Sequence, residues 1–182
     1  YILRGLLWFM ISMPIIVVFF QSKNLTLTEV FILQGIYSFT IAITELPSGY
    51  FADYFGRKKS IIISTFCMFL GYLIFSNYTG FDIYIIGQIL IAIGGSLMSG
   101  ADSAIMYDTL IQLHKKNEYT KVEGRTYAIG NFSESIAALI TSAVLVSSPL
   151  LLPIQIQTFI IFLAIPLSMT LVEPKINKDE NV

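Results

Sequence analysis

The chain alternates between long apolar blocks and short polar connections. A bilayer core of about 30 Å needs about 20 apolar residues of helix. Blocks of that kind cover roughly Tyr1 to Phe20, Val30 to Phe51, Ser60 to Phe75, Ile83 to Met106, Ala128 to Val146 and Ile154 to Val172. The third is short, and the fifth is polar for a spanning helix, with Asn131, Ser133, Glu134 and Ser135. The pattern predicts an all-α membrane protein whose six transmembrane helices fill residues 1–172. A polar tail, residues 173–182, follows and is expected to be disordered.

Charge orients this arrangement. Of the 11 cations, all but Lys23 fall on one side. Arg57, Lys58 and Lys59 follow the second block, Lys115, Lys116, Lys121 and Arg125 the fourth, and Lys175 and Lys178 the sixth, while Arg4 lies near the start. By the positive-inside rule both termini and these loops are cytoplasmic, in a plasma or inner membrane. The outer connections, Gln21 to Thr28, Ser76 to Asp82 and Ser147 to Pro153, are short and nearly uncharged. They carry the sequons Asn24-Leu-Thr and Asn77-Tyr-Thr, in loops too tight to favour glycosylation.

Composition narrows the chemistry. The chain is 55% hydrophobic and 13% charged, with mean hydropathy +0.73. A soluble domain carries about 25% charged residues. The net charge of −1 is uninformative, and no basic patch is large enough to suggest nucleic acid. Cys67 and His114 are the only cysteine and histidine, so neither a disulfide nor a zinc enzyme is expected, and no cofactor is implied. The chain opens on Tyr1 without Met and is apolar at once. It reads as a trimmed or incomplete product, not as a signal peptide before a mature domain.

One connection concentrates charge in a fixed order: Gly49-Tyr-Phe-Ala-Asp-Tyr-Phe-Gly-Arg-Lys-Lys-Ser60. Gly49 and Asp53 are four apart and share a helix face. A glycine admits a neighbouring helix, whose positive N-terminus a carboxylate one turn later can neutralise. Gly56 ends the helix where the chain must turn. Arg57 can pair bidentately with a carboxylate at the same membrane face, and Asp108 is the best candidate. This loop resembles the signature Gly-x-x-x-Asp-x-x-Gly-Arg-Lys/Arg-x of the major facilitator superfamily, with Gly49, Asp53, Gly56, Arg57 and Lys58 at its positions. Gly94 to Leu110 resembles the end of that family's fourth helix. Glu123-Gly-Arg125 and Glu173-Pro174 are similar too. The resemblance implies the N-terminal half of a twelve-helix fold, built as two inverted three-helix repeats. It implies a second six-helix half of the same polypeptide as partner, alongside lipid and a small-molecule substrate. It also implies a gate, in which the loop latches the first half onto a helix of the second.

Carboxylates within the membrane are costly and usually face a cavity or a partner. Glu45, Asp102 and Glu134 fall at similar depth, in the cytoplasmic half of the bilayer: Glu45 about 12 Å from Asp53, and Asp102 about 9 Å from Asp108 along their helices. With Asn131 and Arg125 they form a candidate proton or substrate site. The competing reading is a static brace, with Arg125 as a partner. Gly95, Ser99 and Ser103 repeat at four-residue spacing and are expected to mark close packing. Trp8, Phe9, Tyr37 and Phe39 are expected to pack or face lipid.

These readings converge on a secondary active transporter working by alternating access, with proton-coupled export of a drug or metabolite preferred. The alternatives are a homodimeric half-transporter and a membrane scaffold or sensor without transport. An intramembrane aspartyl protease is disfavoured, because Asp102 and the Tyr107-Asp108 pair lie on one helix rather than two.

Overall fold

A computed structural model describes residues 1–145 and 148–174. Its elements are all helical: α1 Ile2–Leu7, a 3-10 turn Met13–Ile15, α2 Ile16–Ser22, α3 Leu27–Phe55, α4 Arg57–Asn77, α5 Phe81–Gln112, a 3-10 turn Lys116–Glu118, α6 Tyr119–Leu145 and α7 Leu151–Met169. The expectations for the tail after Pro174, and for the sequence at residues 146–147, fall outside the described residues.

Among the described residues four helices, α3, α4, α5 and α7, are long and apolar enough to cross a membrane. The other two expected spans depart from the pattern for different reasons. The first, Tyr1 to Phe20, is not one helix: α1 stops at Leu7 and helical structure resumes at Met13. Pro14 removes an N–H and its ring crowds the carbonyl of Met10, which weakens an α-helix at this point. Side chains hold the interruption instead. The Ser12 N–H donates to Gln157 Oε1 at 3.4 Å, and the Thr141 hydroxyl donates to the Ile11 carbonyl at 2.8 Å. The fifth expected span lies within α6, a continuous helix of 27 residues. Its polar residues, Glu123 to Ser135 among them, keep it outside the apolar set.

Local sequence explains the helix limits. Thr26 and Glu29 form a capping box: the Thr26 N–H donates to Glu29 Oε2 at 2.7 Å, and the Glu29 N–H donates to Thr26 Oγ1 at 3.3 Å. α3 then continues past Pro47 to Phe55. Gly56, at φ 101°, is the single residue between α3 and α4, in backbone space that side chains with a Cβ rarely occupy. Tyr84 ties the α4–α5 connection by donating its hydroxyl to the Tyr78 carbonyl at 3.1 Å.

α5 is the hub and packs along α4 and α3. At the end away from Gly56, Phe20, Phe75 and Tyr84 interlock with ring centroids 5.1 to 5.5 Å apart, joined by Phe19, Leu33 and Ile154. Lower down, backbones approach through glycine. A Cβ on Gly94 would stand 2.8 Å from the Ser64 carbonyl oxygen, and one on Gly71 would stand 2.7 Å from the Gly87 carbonyl oxygen. A Cβ on Gly100 would lie 3.2 Å from the Gly49 nitrogen of α3. On α5 the tight glycines are thus Gly87, Gly94 and Gly100; Ser99, in the line expected to pack, is exposed.

Replacing Gly94 by Ala should lower the unfolding temperature of the detergent-solubilised protein, by on the order of 1–3 kcal/mol of overpacking. Gly35→Ala, which meets nothing within 4 Å, should leave it unchanged or slightly raised. Equal melting curves for the two variants would contradict this packing.

Candidate functional site

The charged loop folds into a knot at the end of the bundle. Arg57 opens α4, and its guanidinium reaches α5, where Nη1 pairs with Asp108 and donates to the Ala104 carbonyl at 2.6 Å. Nη2 stands 3.5 Å from Asp53 Oδ1. Asp108 is buried, at 8% side-chain exposure, whereas Asp53 is 70% exposed. The two carboxylates therefore play unequal parts: Asp108 is sequestered with the guanidinium, and most of Asp53 remains free.

Glu173 completes the knot. Its two oxygens accept from the Arg57 and Lys58 N–H groups, at 2.8 and 2.7 Å. Those groups are among the unpaired donors at the start of α4, where the helix dipole favours an anion. The chain following α7 is thereby tied to the first turn of α4. Asp53 shares the locality but leaves these amides to Glu173. Gly49 has open space on its side-chain side, where an added Cβ would meet nothing within 4 Å, while its backbone lies against Gly100. Lys58 contributes its backbone N–H.

The residues expected to form a site within the membrane do not come together as one group. Asp102 pairs with Arg4 of α1, and these side chains are 24% and 12% exposed. The Arg4 guanidinium lies 4.9 Å from the Trp8 ring centroid and 4.8 Å from that of Tyr127. Two aromatic faces thus share a cation that already holds a carboxylate, which keeps the Arg4 charge compensated away from water. The pair stands in the wall of a cavity of about 370 Å³, also lined by Ile61, Ile105, Thr126 and Leu171. Glu45, Arg125 and Asn131 are exposed and Glu134 is half-buried. Among the described residues, Arg125 has no carboxylate within salt-bridge distance, so the brace expected of it is absent there.

Three contributors escaped the sequence reading. Arg4 registered only as an orienting charge, because nothing local links it to Asp102, about a hundred residues away. Glu173 was visible in Glu173-Pro174, but its receptor, the start of α4, was not. Glu123 accepts from the Ser103 hydroxyl at 3.1 Å and joins α6 to α5.

Asp108→Asn should cost about 2–3 kcal/mol of stability, below the 3–5 typical of a fully buried pair because Arg57 retains some solvent contact. Glu173→Ala should cost about 1 kcal/mol, the usual value of a lost N-terminal cap. Thermal unfolding in detergent reads both, and a neutral Asp108→Asn would remove the buried pair from the account.

The Major Facilitator Superfamily profile matches residues 1–181. An uncharacterized transporter of Buchnera aphidicola subsp. Schizaphis graminum is 32% identical over 105 residues, 57% of this chain and 26% of that protein. The uncharacterized MFS-type transporter YxaM of Bacillus subtilis is 33% identical over 99 residues, 54% of this chain and 25% of that protein. The matched region thus spans about a quarter of each relative's length. With a match along nearly its whole length and apolar helices fit to cross a membrane, the chain belongs to the major facilitator superfamily of membrane transporters.

Proposed function

We propose that this chain is the N-terminal half of a secondary active transporter that works by alternating access. In this reading residues 1–172 make one bundle of six spans, as two inverted three-helix repeats, and residues 173–182 begin the link to a second half. The membrane is the plasma or inner membrane, with both termini cytoplasmic. One observation carries the reading: Arg57 is committed to α5 while Asp53, one turn earlier, is left largely exposed. A loop serving only as a positive anchor has no use for that division. A latch does, since one side must be fixed within its own half and the other free to meet a moving partner.

The exposed face of α3 supports the same division. Phe39, Ile43, Leu46, Tyr50 and Tyr54 are all more than half exposed and lie on the helix that carries Asp53. A second bundle would dock there, with Asp53 at the positive N-terminus of one of its helices and Gly49 letting that helix approach.

Within the bundle, Asp102 is the preferred proton-binding group. Protonating it would release Arg4 from its carboxylate and leave a cation held by Trp8 and Tyr127 alone. That change of charge, at the junction of α1, α5 and α6, would couple proton binding to rearrangement. Glu45 and Glu134 remain as secondary candidates. Export of a drug or metabolite against proton entry is the direction we favour. The protease alternative gains nothing from the geometry, since Asp102 and Asp108 are each engaged by a separate arginine.

In proteoliposomes loaded with a pH dye, adding transported drug to the protein as encoded should move protons. Asp53→Asn should slow that movement at least tenfold while leaving drug binding and the unfolding temperature near those of the parent. Asp102→Asn should uncouple it, leaving drug exchange that no longer responds to a pH gradient. Unchanged proton movement in Asp53→Asn would remove the latch from Asp53, and drug binding without any proton movement in the parent would favour a scaffold or sensor.

A further inference from the structure

The interrupted first segment borders a second cavity, of about 230 Å³, in the outer part of the bundle among α3, α4, α5 and α7. It differs in kind from the cavity beside Arg4. Its polar lining is Ser12, Gln34, Tyr37, Tyr72, Gln88 and Gln157, and no acidic, basic or histidine side chain lines it. Gln157 is 1% exposed and Gln88 5%, so both amides sit deep in an apolar bundle. Met13, 60% exposed, stands at the mouth.

Gln157 is half satisfied. Its carbonyl oxygen accepts from the Ser12 N–H, but its Nε2 donors have no partner. A buried donor left unpaired costs about 1–3 kcal/mol. The chain also gives up a continuous helix at this point, a sacrifice that membrane proteins tolerate where the freed backbone lines a cavity. Ser12 is the hinge of both observations: its N–H is held by Gln157, and its hydroxyl donates to the Tyr72 hydroxyl at 3.3 Å.

We propose that this cavity is a binding site for a compact uncharged molecule that presents a hydrogen-bond acceptor to the Gln157 amide. The volume is below the roughly 300–1,000 Å³ of pockets for drug-sized ligands, so the occupant is small. It is neutral because a charged one would be desolvated with no counter-ion in the wall. It has an apolar body, since Leu7, Met68, Phe75, Ile91 and Ile161 complete the lining. The site lies within this bundle and stands independently of the alternating-access reading, because binding at equilibrium requires no cycling.

Benzamide is a suitable probe, with benzoate as its charged counterpart of nearly the same shape. Equilibrium binding of labelled benzamide to the solubilised protein as encoded should saturate, and benzoate should compete at least tenfold more weakly. Gln157→Leu should weaken binding at least fivefold. Because that change also strips the Ser12 N–H of its acceptor, Gln88→Met provides a second variant remote from the interruption, with a similar loss expected. Equal competition by benzoate, a lack of saturation, or unchanged affinity in a monodisperse Gln88→Met protein would overturn the site and leave a water-filled cavity. Asp53→Asn should bind benzamide as the parent does, so that failure of the latch and failure of this site remain distinguishable.

Discussion

The guanidinium of Arg57 is the point on which one end of this bundle depends. A single side chain joins Asp108 and the Ala104 carbonyl of α5 to the first residue of α4, while its own N–H is held by Glu173. Four helices, α3, α4, α5 and α7, are thereby gathered around Gly56, the one-residue turn between α3 and α4. The chemistry is specific to arginine. Its planar fork presents several donors at once, so it can satisfy a buried carboxylate and a carbonyl together, which a lysine ammonium does less well.

The far end is held by other means. There Phe19, Phe20, Phe75 and Tyr84 fill the space between helices, and the Tyr84 hydroxyl closes the α4–α5 connection. Between the two ends, α5 lies close to α4 because Gly71, Gly87 and Gly94 remove the side chains that would separate them. In lipid, where apolar surface alone gives little drive for helices to associate, such close contact contributes dispersion and backbone interactions that bulkier residues would forfeit. One end is thus fixed by charge, the middle by close backbone approach and the other end by aromatic packing. The interruption in the first segment lies beside a cavity among these helices.

The buried charges show how a membrane bundle accommodates ionic groups. Asp102 and Asp108 project from one helix, yet each meets its own arginine, from α1 and from α4. Neither arginine is surrounded by water: Arg4 is sandwiched near two aromatic rings, and Arg57 is closed over by α5. The other two carboxylates expected within the membrane, Glu45 and Glu134, are on surfaces with more exposure. An apolar α3 face that includes Leu46 and Tyr50 lies alongside Glu45, so a mixed polar and apolar surface is presented on this side of the bundle.

Much of this was legible in the linear sequence. Block lengths and apolar content set the helical class and located α3, α4, α5 and α7, because a bilayer core demands a minimum run of apolar residues. The spacing of Gly49, Asp53, Gly56 and Arg57 marked the turn and its charges, because residues four apart share a helix face and glycine alone suits the backbone of the turn. Tertiary structure decided the rest. The break within the first block, from Trp8 to Ser12, was not legible in the sequence, because it depends on acceptors and donors supplied by Gln157 and Thr141 from distant helices. The partner of Asp102 could not be read from its neighbours, because Arg4 reaches it only after α1 and α5 pack together. Composition and short-range spacing determine which helices form; which charges meet is set by how those helices are rotated against one another, and that rotation is fixed by contacts among residues far apart in the chain.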